Sequence, residues 1–186
     1  GGGGSDQISV LGRDSSSQLI VFGDSSETND PYSAPWGSDT TAAAYAFAQS
    51  GNDILDASAS NQGVVIYGGA GADLIKGSQA SDILVGEGDS DTLHGGAGAD
   101  TILGDFGSVM YAGQDVTQVG QATVTSIYAD NAEEGGNDSI HGYGGDDYFL
   151  GQQGADILYG DAGQDDIIGG HNVSFNNVSF GVDGSD

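Results

Sequence analysis

Aspartate returns at every ninth residue in two stretches of this chain. In the first it stands at Asp73, Asp82, Asp91 and Asp100, in the second at Asp138, Asp147, Asp156 and Asp165. Two residues after each comes a bulky apolar side chain: Ile75, Leu84, Leu93 and Ile102, then Ile140, Phe149, Leu158 and Ile167. Glycines fill the residues before it, as in GGAGADLIK from Gly68 and GGAGADTIL from Gly95. Glycine lets successive backbone carbonyls turn toward one point, and a short carboxylate beside them adds a hard anionic oxygen. Such a set suits calcium, which takes about six to eight oxygens at roughly 2.3–2.6 Å from carboxylates and carbonyls. Aspartate serves a tight turn better than glutamate because its carboxylate sits one methylene closer to the backbone. The chain has 28 acids, of which 24 are Asp.

The spacing also dictates what must hold these groups. The first six residues of each nonapeptide read as a turn and the last three as a short strand. Side chains alternate across a strand, so the eighth residue points inward while the seventh and ninth point outward. Two further segments fit the template: residues 1–9, with Asp6 and Ile8, and residues 48–56, with Gly51, Asp53 and Leu55. The pattern is GGxGxDxUx, where U is a bulky apolar residue.

Composition narrows the field of functions. The 186 residues carry 28 acids against two Lys or Arg, a net charge of −26, and 35 glycines. Nucleic-acid and anionic-membrane binding need basic side chains and are excluded. No apolar run approaches the ~18 residues of a membrane-spanning helix. The chain has no Cys, so disulfides, thiolate metal sites and thiol nucleophiles are absent. Glycine and Asp are poor helix formers, which argues against a helical bundle. High charge and glycine content would suit a disordered chain, but the regular apolar positions argue for a packed stack.

The nonapeptides resemble the RTX, or hemolysin-type, calcium-binding repeats of bacterial secreted proteins, whose signature is this motif. The resemblance implies an all-β fold: a right-handed parallel β-roll, a calcium-bound solenoid in which two nonapeptides make one coil, here with hairpin-like insertions. It implies further that turns two repeats apart stack and share an ion, pairing Asp73 with Asp91, Asp82 with Asp100, Asp138 with Asp156 and Asp147 with Asp165. Asp6 and Asp53 would extend the series. Backbone carbonyls would come from Gly68, Gly69 and Gly71 and their equivalents Gly77, Gly86, Gly95, Gly96, Gly98, Gly104, Gly142, Gly151, Gly154, Gly160 and Gly163. Roughly four to eight calcium ions are expected on this count.

One domain over 1–186 is expected, with repeats at 1–9, 48–56, 68–107 and 133–169 and insertions at 10–47, 108–132 and 170–186. Ala57–Tyr67 reads as a longer coil without the Asp, in which Leu55 and Ile66 keep the apolar stack continuous. VMYAG and QATVTSIYAD within 108–132 read as two strands joined by a turn. VSFNNVSF within 170–186 is a short alternating motif. The insertions open after an apolar strand and a Gly (VFGD, ILGD, IIGG), and the first two close with GND; the longer unit they define looks irregular. Two roles stand open for them: hairpins that fold back over one sheet or cap an end, covering outward apolar residues such as Leu74, Ile83 and Ile157, or a partner-binding face.

Other chemistries find no support. His94 and His141 fall at the ninth position and should point outward, and with His171 they do not make a zinc site. There is no GxSxG elbow and no P-loop lysine, so no enzyme is expected. The chain starts without Met inside a repeat and is expected to be a piece of a longer polypeptide. The resemblance implies type I secretion and an extracellular or cell-surface location. It leaves a structural segment of a large adhesin, filament or surface-layer protein beside the alternative of the calcium-binding secretion module of an exoenzyme or toxin. Self-association or a cell-surface partner would use the insertions and outward strand faces.

Overall fold

A computed structural model describes residues 3–12, 19–24, 51–105, 107–111, 124–129 and 135–170. These residues form strands and turns, with no helix among them. Half of the fourteen described strands are three residues long, and those of the repeats begin at the seventh position. They are β1 (Gln7–Ser9), β2 (Ile20–Phe22), β3 (Ile54–Asp56), β4 (Val65–Ala70), β5 (Leu74–Lys76), β6 (Ile83–Gly88), β7 (Thr92–Ala97), β8 (Thr101–Asp105), β9 (Gly107–Tyr111), β10 (Val124–Ala129), β11 (Ser139–Gly144), β12 (Tyr148–Leu150), β13 (Ile157–Tyr159) and β14 (Asp166–Ile168). Apart from β9 and β10, successive strands alternate between two parallel sheets. The first runs β1-β3-β5-β7-β11-β13 and the second β2-β4-β6-β8-β12-β14. This is a parallel β-roll.

The core follows from strand alternation. Leu55, Ile66, Ile75, Leu84, Leu93, Ile102, Ile140 and Phe149 are all fully buried in one cluster between the sheets. Each is the inward residue of its strand, and each pairs with its counterpart in the neighbouring coil, as Ile75 does with Leu93 and Leu93 with Ile140. Leu55 and Ile66 carry the stack through the longer coil, as the sequence suggested.

The two outer faces differ. On the second sheet Val65, Ile83, Val85 and Leu103 form a separate buried cluster with Ile20 and Tyr67 against it. Ile83, expected to face outward and need cover, is thus 4% exposed, whereas Ile157 at the end of the first sheet is 55% exposed. Leu74 is half-buried. The outer face of the first sheet instead carries a registered polar line, Asp56, Lys76, His94, His141 and Tyr159. Asp56 and Lys76 form an ion pair at 3.2 Å, and the His141 and Tyr159 rings stack at 4.4 Å.

The insertion boundaries need one correction. Residues 19–22, read as part of the insertion 10–47, supply β2, which pairs with β4 inside the second sheet. The first insertion therefore leaves after Asp24 and returns at Gly51. The second contains an antiparallel hairpin of β9 and β10, the two strands expected there, and β9 lies beside β6 of the second sheet. VSFNNVSF and most of 10–47 lie outside the described residues.

Both insertions occupy turns leading from the second sheet to the first, so they leave the roll from one edge. The coils that contain them match in length. Asp6 stacks on Asp53 and Asp91 on Asp138, each pair 47 residues apart. Their bases also match: Asn52 N–H donates to Ser5 Oγ at 3.1 Å and Asn137 N–H to Ser90 Oγ at 2.9 Å. Asn52 and Asn137 in turn accept at Oδ1 from Ala72 and Ala155. The unit that looked irregular in sequence is therefore a repeated coil with the same foundation twice.

Truncating the apolar stack should be costly where it is closed. Leu93→Ala should lower the denaturant stability of the calcium-saturated protein by about 2–5 kcal/mol. Ile157→Ala, at an exposed strand end, should change it by no more than about 0.5 kcal/mol. Equal effects in urea unfolding would contradict a core built from eighth-position residues.

Candidate metal centre

The strands deliver each sixth-position Asp to one of two edges. Where the chain passes from the second sheet to the first, Asp6, Asp53, Asp73, Asp91, Asp138 and Asp156 stack. Each backbone N–H donates to Oδ1 of the next Asp, at 2.7, 2.7, 2.8, 2.8 and 3.0 Å in that order. On the opposite edge Asp82, Asp100, Asp147 and Asp165 do the same at 2.8, 2.8 and 3.1 Å. The expected pairs Asp73–Asp91, Asp82–Asp100, Asp138–Asp156 and Asp147–Asp165 are thus adjacent. The ladders also cross the insertions, joining Asp91 to Asp138 and Asp100 to Asp147, which sequence spacing did not suggest.

Oδ1 of each of these Asp after Asp6 therefore has a task in the fold. For six of them the other oxygen has none. Oδ2 of Asp53, Asp73, Asp91, Asp100, Asp138 and Asp147 is buried with no hydrogen-bond partner. Burying an unpaired polar oxygen costs free energy, and an unpaired charge costs far more. Each of these oxygens faces the first glycine of its turn. A Cβ on Gly68 would stand 2.5 Å from Asp73 Oδ2 and 2.6 Å from the carbonyl oxygen of Gly86 in the next coil. The same pairing of a carboxylate with a neighbouring carbonyl recurs at Gly77, Gly86, Gly95, Gly104, Gly142 and Gly151. Gly160 meets Asp165 alone. Glycine is needed there for space.

At the second and fourth positions the backbone conformation favours it. Gly69 and Gly71 have φ of 116° and 127°, and Gly96, Gly98, Gly154 and Gly163 are also left-handed. Glu87, Tyr143, Gln152 and Asp161 adopt left-handed φ at the second position despite carrying side chains.

The donor set fits calcium. Hard oxygens, half carboxylate and half carbonyl, converge beside each turn in loose geometry. Among the described residues no three His, Asp or Glu side chains gather as a metal group. A calcium ion would therefore be held by a carboxylate from each of two stacked turns with backbone carbonyls completing the shell. The ion would supply the positive charge that the buried oxygens lack.

Electrostatics agree. Burial, with the charge of neighbouring carboxylates added, pushes Asp91 up to about 10, Asp100 to about 9, Asp138 to about 8 and Asp73 to about 7. Burial also raises Asp53 and Asp147.

The sequence reading missed three acids at these turns. Asp24 and Asp105 follow the glycine that opens each insertion, and both are buried. Asp105 accepts from Gly136 N–H at 2.8 Å and Gln153 N–H at 2.6 Å, which ties the far side of the insertion to the next coil. Asp24 is raised by burial and by the charge of Asp53. Glu87 rises to about 8, first by burial and then by Asp73 and Asp24. The signal was the repeated GD of VFGD and ILGD. His94 and His141 lie on the outer face of the first sheet, away from the ligand edges, with His94 Nδ1 3.0 Å from Tyr143 Oη and His141 Nδ1 3.3 Å from Asp161 Oδ2.

Fold and site together define a solenoid whose turns are built to hold cations. A family model, the RTX calcium-binding nonapeptide repeat, matches the chain in four copies over residues 64–81, 77–108, 134–158 and 149–170. Over those residues the chain is built of RTX calcium-binding repeats, a structural rather than catalytic family. No curated protein and no solved structure matches it.

The raised carboxylates set a pH dependence. In the folded chain without ions they hold protons that the unfolded chain loses near the ordinary 3.8. Stability without calcium is thus complete below that value and is lost as pH rises through about 7 to about 10. In chelator, the β signal in circular dichroism should be stronger near pH 4 than near pH 8. Calcium binding at neutral pH should release protons. A chelated chain that gains structure as pH rises would contradict this assignment.

Proposed function

We propose that this chain is a calcium-folded structural segment of a large secreted bacterial protein of the adhesin, filament or surface-layer kind. The single observation that carries the reading is the row of buried Oδ2 atoms without partners at both edges. A fold of net charge −26 that buries such oxygens repels itself until cations enter, so binding free energy becomes folding free energy. Cytosolic calcium is scarce and extracellular calcium is plentiful. The chain would stay unfolded for export and fold outside. Stacked pairs at Asp53–Asp73, Asp73–Asp91, Asp91–Asp138, Asp138–Asp156, Asp100–Asp147 and Asp147–Asp165 would hold about six ions. What supports a structural rather than an export role is the repeated 47-residue coil, which sends both insertions from one edge on matching bases.

A calcium titration followed by circular dichroism and light scattering tests the reading. The chain should be coil-like in chelator, turn to β structure at millimolar calcium, and gain mass as folded rolls associate. Equal β content in chelator would refute the calcium-folded reading, and a strictly monomeric folded state would refute the filament reading. Gly86→Ala should place a methyl group against Asp91 Oδ2 and the Gly104 carbonyl. We expect it to lower the calcium stoichiometry by one and raise the calcium midpoint several-fold. An unchanged isotherm would contradict the site.

A further inference from the structure

Asp82 differs from Asp73, Asp91, Asp100, Asp138 and Asp147 in what surrounds it. Its Oδ2 accepts from Ser78 N–H at 2.5 Å. Its Oδ1 accepts from Val64 N–H at 2.7 Å and lies 2.8 Å from Ser78 Oγ. The carboxylate is 1% exposed, yet both oxygens are satisfied by the protein itself.

The turn around it has a different shape. In the repeat 77–85, Ser78 and Ala80 take the places of the second and fourth glycines. Neither has the left-handed φ that Gly96 and Gly98 adopt, at 113° and 112°, in the next turn of the same edge. Their carbonyls are therefore not turned as in the ion-holding turns. Ser78 Oγ instead accepts from Ala80 N–H at 3.1 Å and lies 3.0 Å from the Ala80 carbonyl, which competes with Asp82 for its one proton.

The coil before repeats this device. Ser60 Oγ accepts from Gln62 N–H at 3.2 Å and donates to the Gln62 carbonyl at 2.8 Å. Gln79 N–H joins the two turns by donating to the Ser60 carbonyl at 3.0 Å. Ser60 and Ser78 are both fully buried. Val64 occupies the place of the Asp in the earlier turn, and its N–H donates to Asp82 as an Asp N–H does elsewhere.

We propose that the turns at 57–64 and 77–82 hold no ion, because a buried serine column and backbone N–H groups do there what calcium does in the other turns. This rests on the calcium reading above and refines it: Asp82 is a structural hydrogen-bond acceptor, and ion binding on this edge begins between Asp100 and Asp147. The roll thereby contains a stretch whose register is set without metal, beside edges that require it.

Calcium stoichiometry by equilibrium dialysis tests this on the whole chain. Asp82→Asn should bind as many ions as the natural sequence, whereas Asp100→Asn should bind one fewer. The double change Ser78→Gly and Ala80→Gly restores the GGxGxD pattern, takes the serine hydroxyl away from Asp82 Oδ1 and lets the turn adopt the left-handed φ that would carry the N–H at position 78 off Oδ2, and it should bind one ion more, shared with Asp100. Loss of an ion in Asp82→Asn, or no gain in the double variant, would overturn the proposal. If Asp82→Asn fails to fold, the double variant decides alone. A natural sequence that binds no calcium would instead overturn the calcium reading, and the same dialysis shows this first.

Discussion

Everything in this molecule depends on carboxylate oxygens that its own backbone cannot satisfy. Each stacked Asp uses Oδ1 to receive the N–H of the coil before it, which fixes the rise of the solenoid. At Asp53, Asp73, Asp91, Asp100, Asp138 and Asp147, Oδ2 is then forced inward against a glycine and a carbonyl, with no donor in reach. Like charges a few ångströms apart in a desolvated turn cannot all remain ionised. Either protons or cations must neutralise them, and the geometry of mixed carboxylate and carbonyl oxygens favours a hard cation.

The core alone does not settle the fold. Each inner repeat contributes one fully buried side chain to a thin stack between two sheets, while Ile8 and Leu158 near its ends are partly buried and Ile167 is exposed. Such a stack offsets little of the chain entropy that glycine-rich turns forfeit on ordering. The second cluster, Val65, Ile83, Val85 and Leu103, adds apolar burial on one outer face only. Stability therefore concentrates at the edges, where the ions would sit, and the serine-bonded turns at 57–64 and 77–82 are the local exception.

The periodic part of this architecture was legible in the sequence because each of its rules is local. Asp at six and an apolar residue at eight give the edge and the core directly. Residues joined across long connections were harder to read. Asp91 stacks on Asp138 over an insertion, and no spacing rule indicates that the ladder resumes there. Residues 19–22 lack a neighbouring repeat motif, so β2 read as part of an insertion. Ile83 is buried by partners on the outer face that alternation alone does not supply. Asp82 matched the motif at its Asp and apolar positions although Ser78 and Ala80 replace two glycines, and the hydrogen bonds of Ser78 and Val64 set it apart.

The most direct test of the central claim is a crystal structure grown in calcium with anomalous scattering recorded at a long wavelength. Anomalous peaks should lie between stacked turns beside Asp53, Asp73, Asp91 and Asp138, within about 2.3–2.6 Å of Oδ2 and of backbone carbonyl oxygens. Peaks confined to the surface, with water against those buried oxygens, would contradict it.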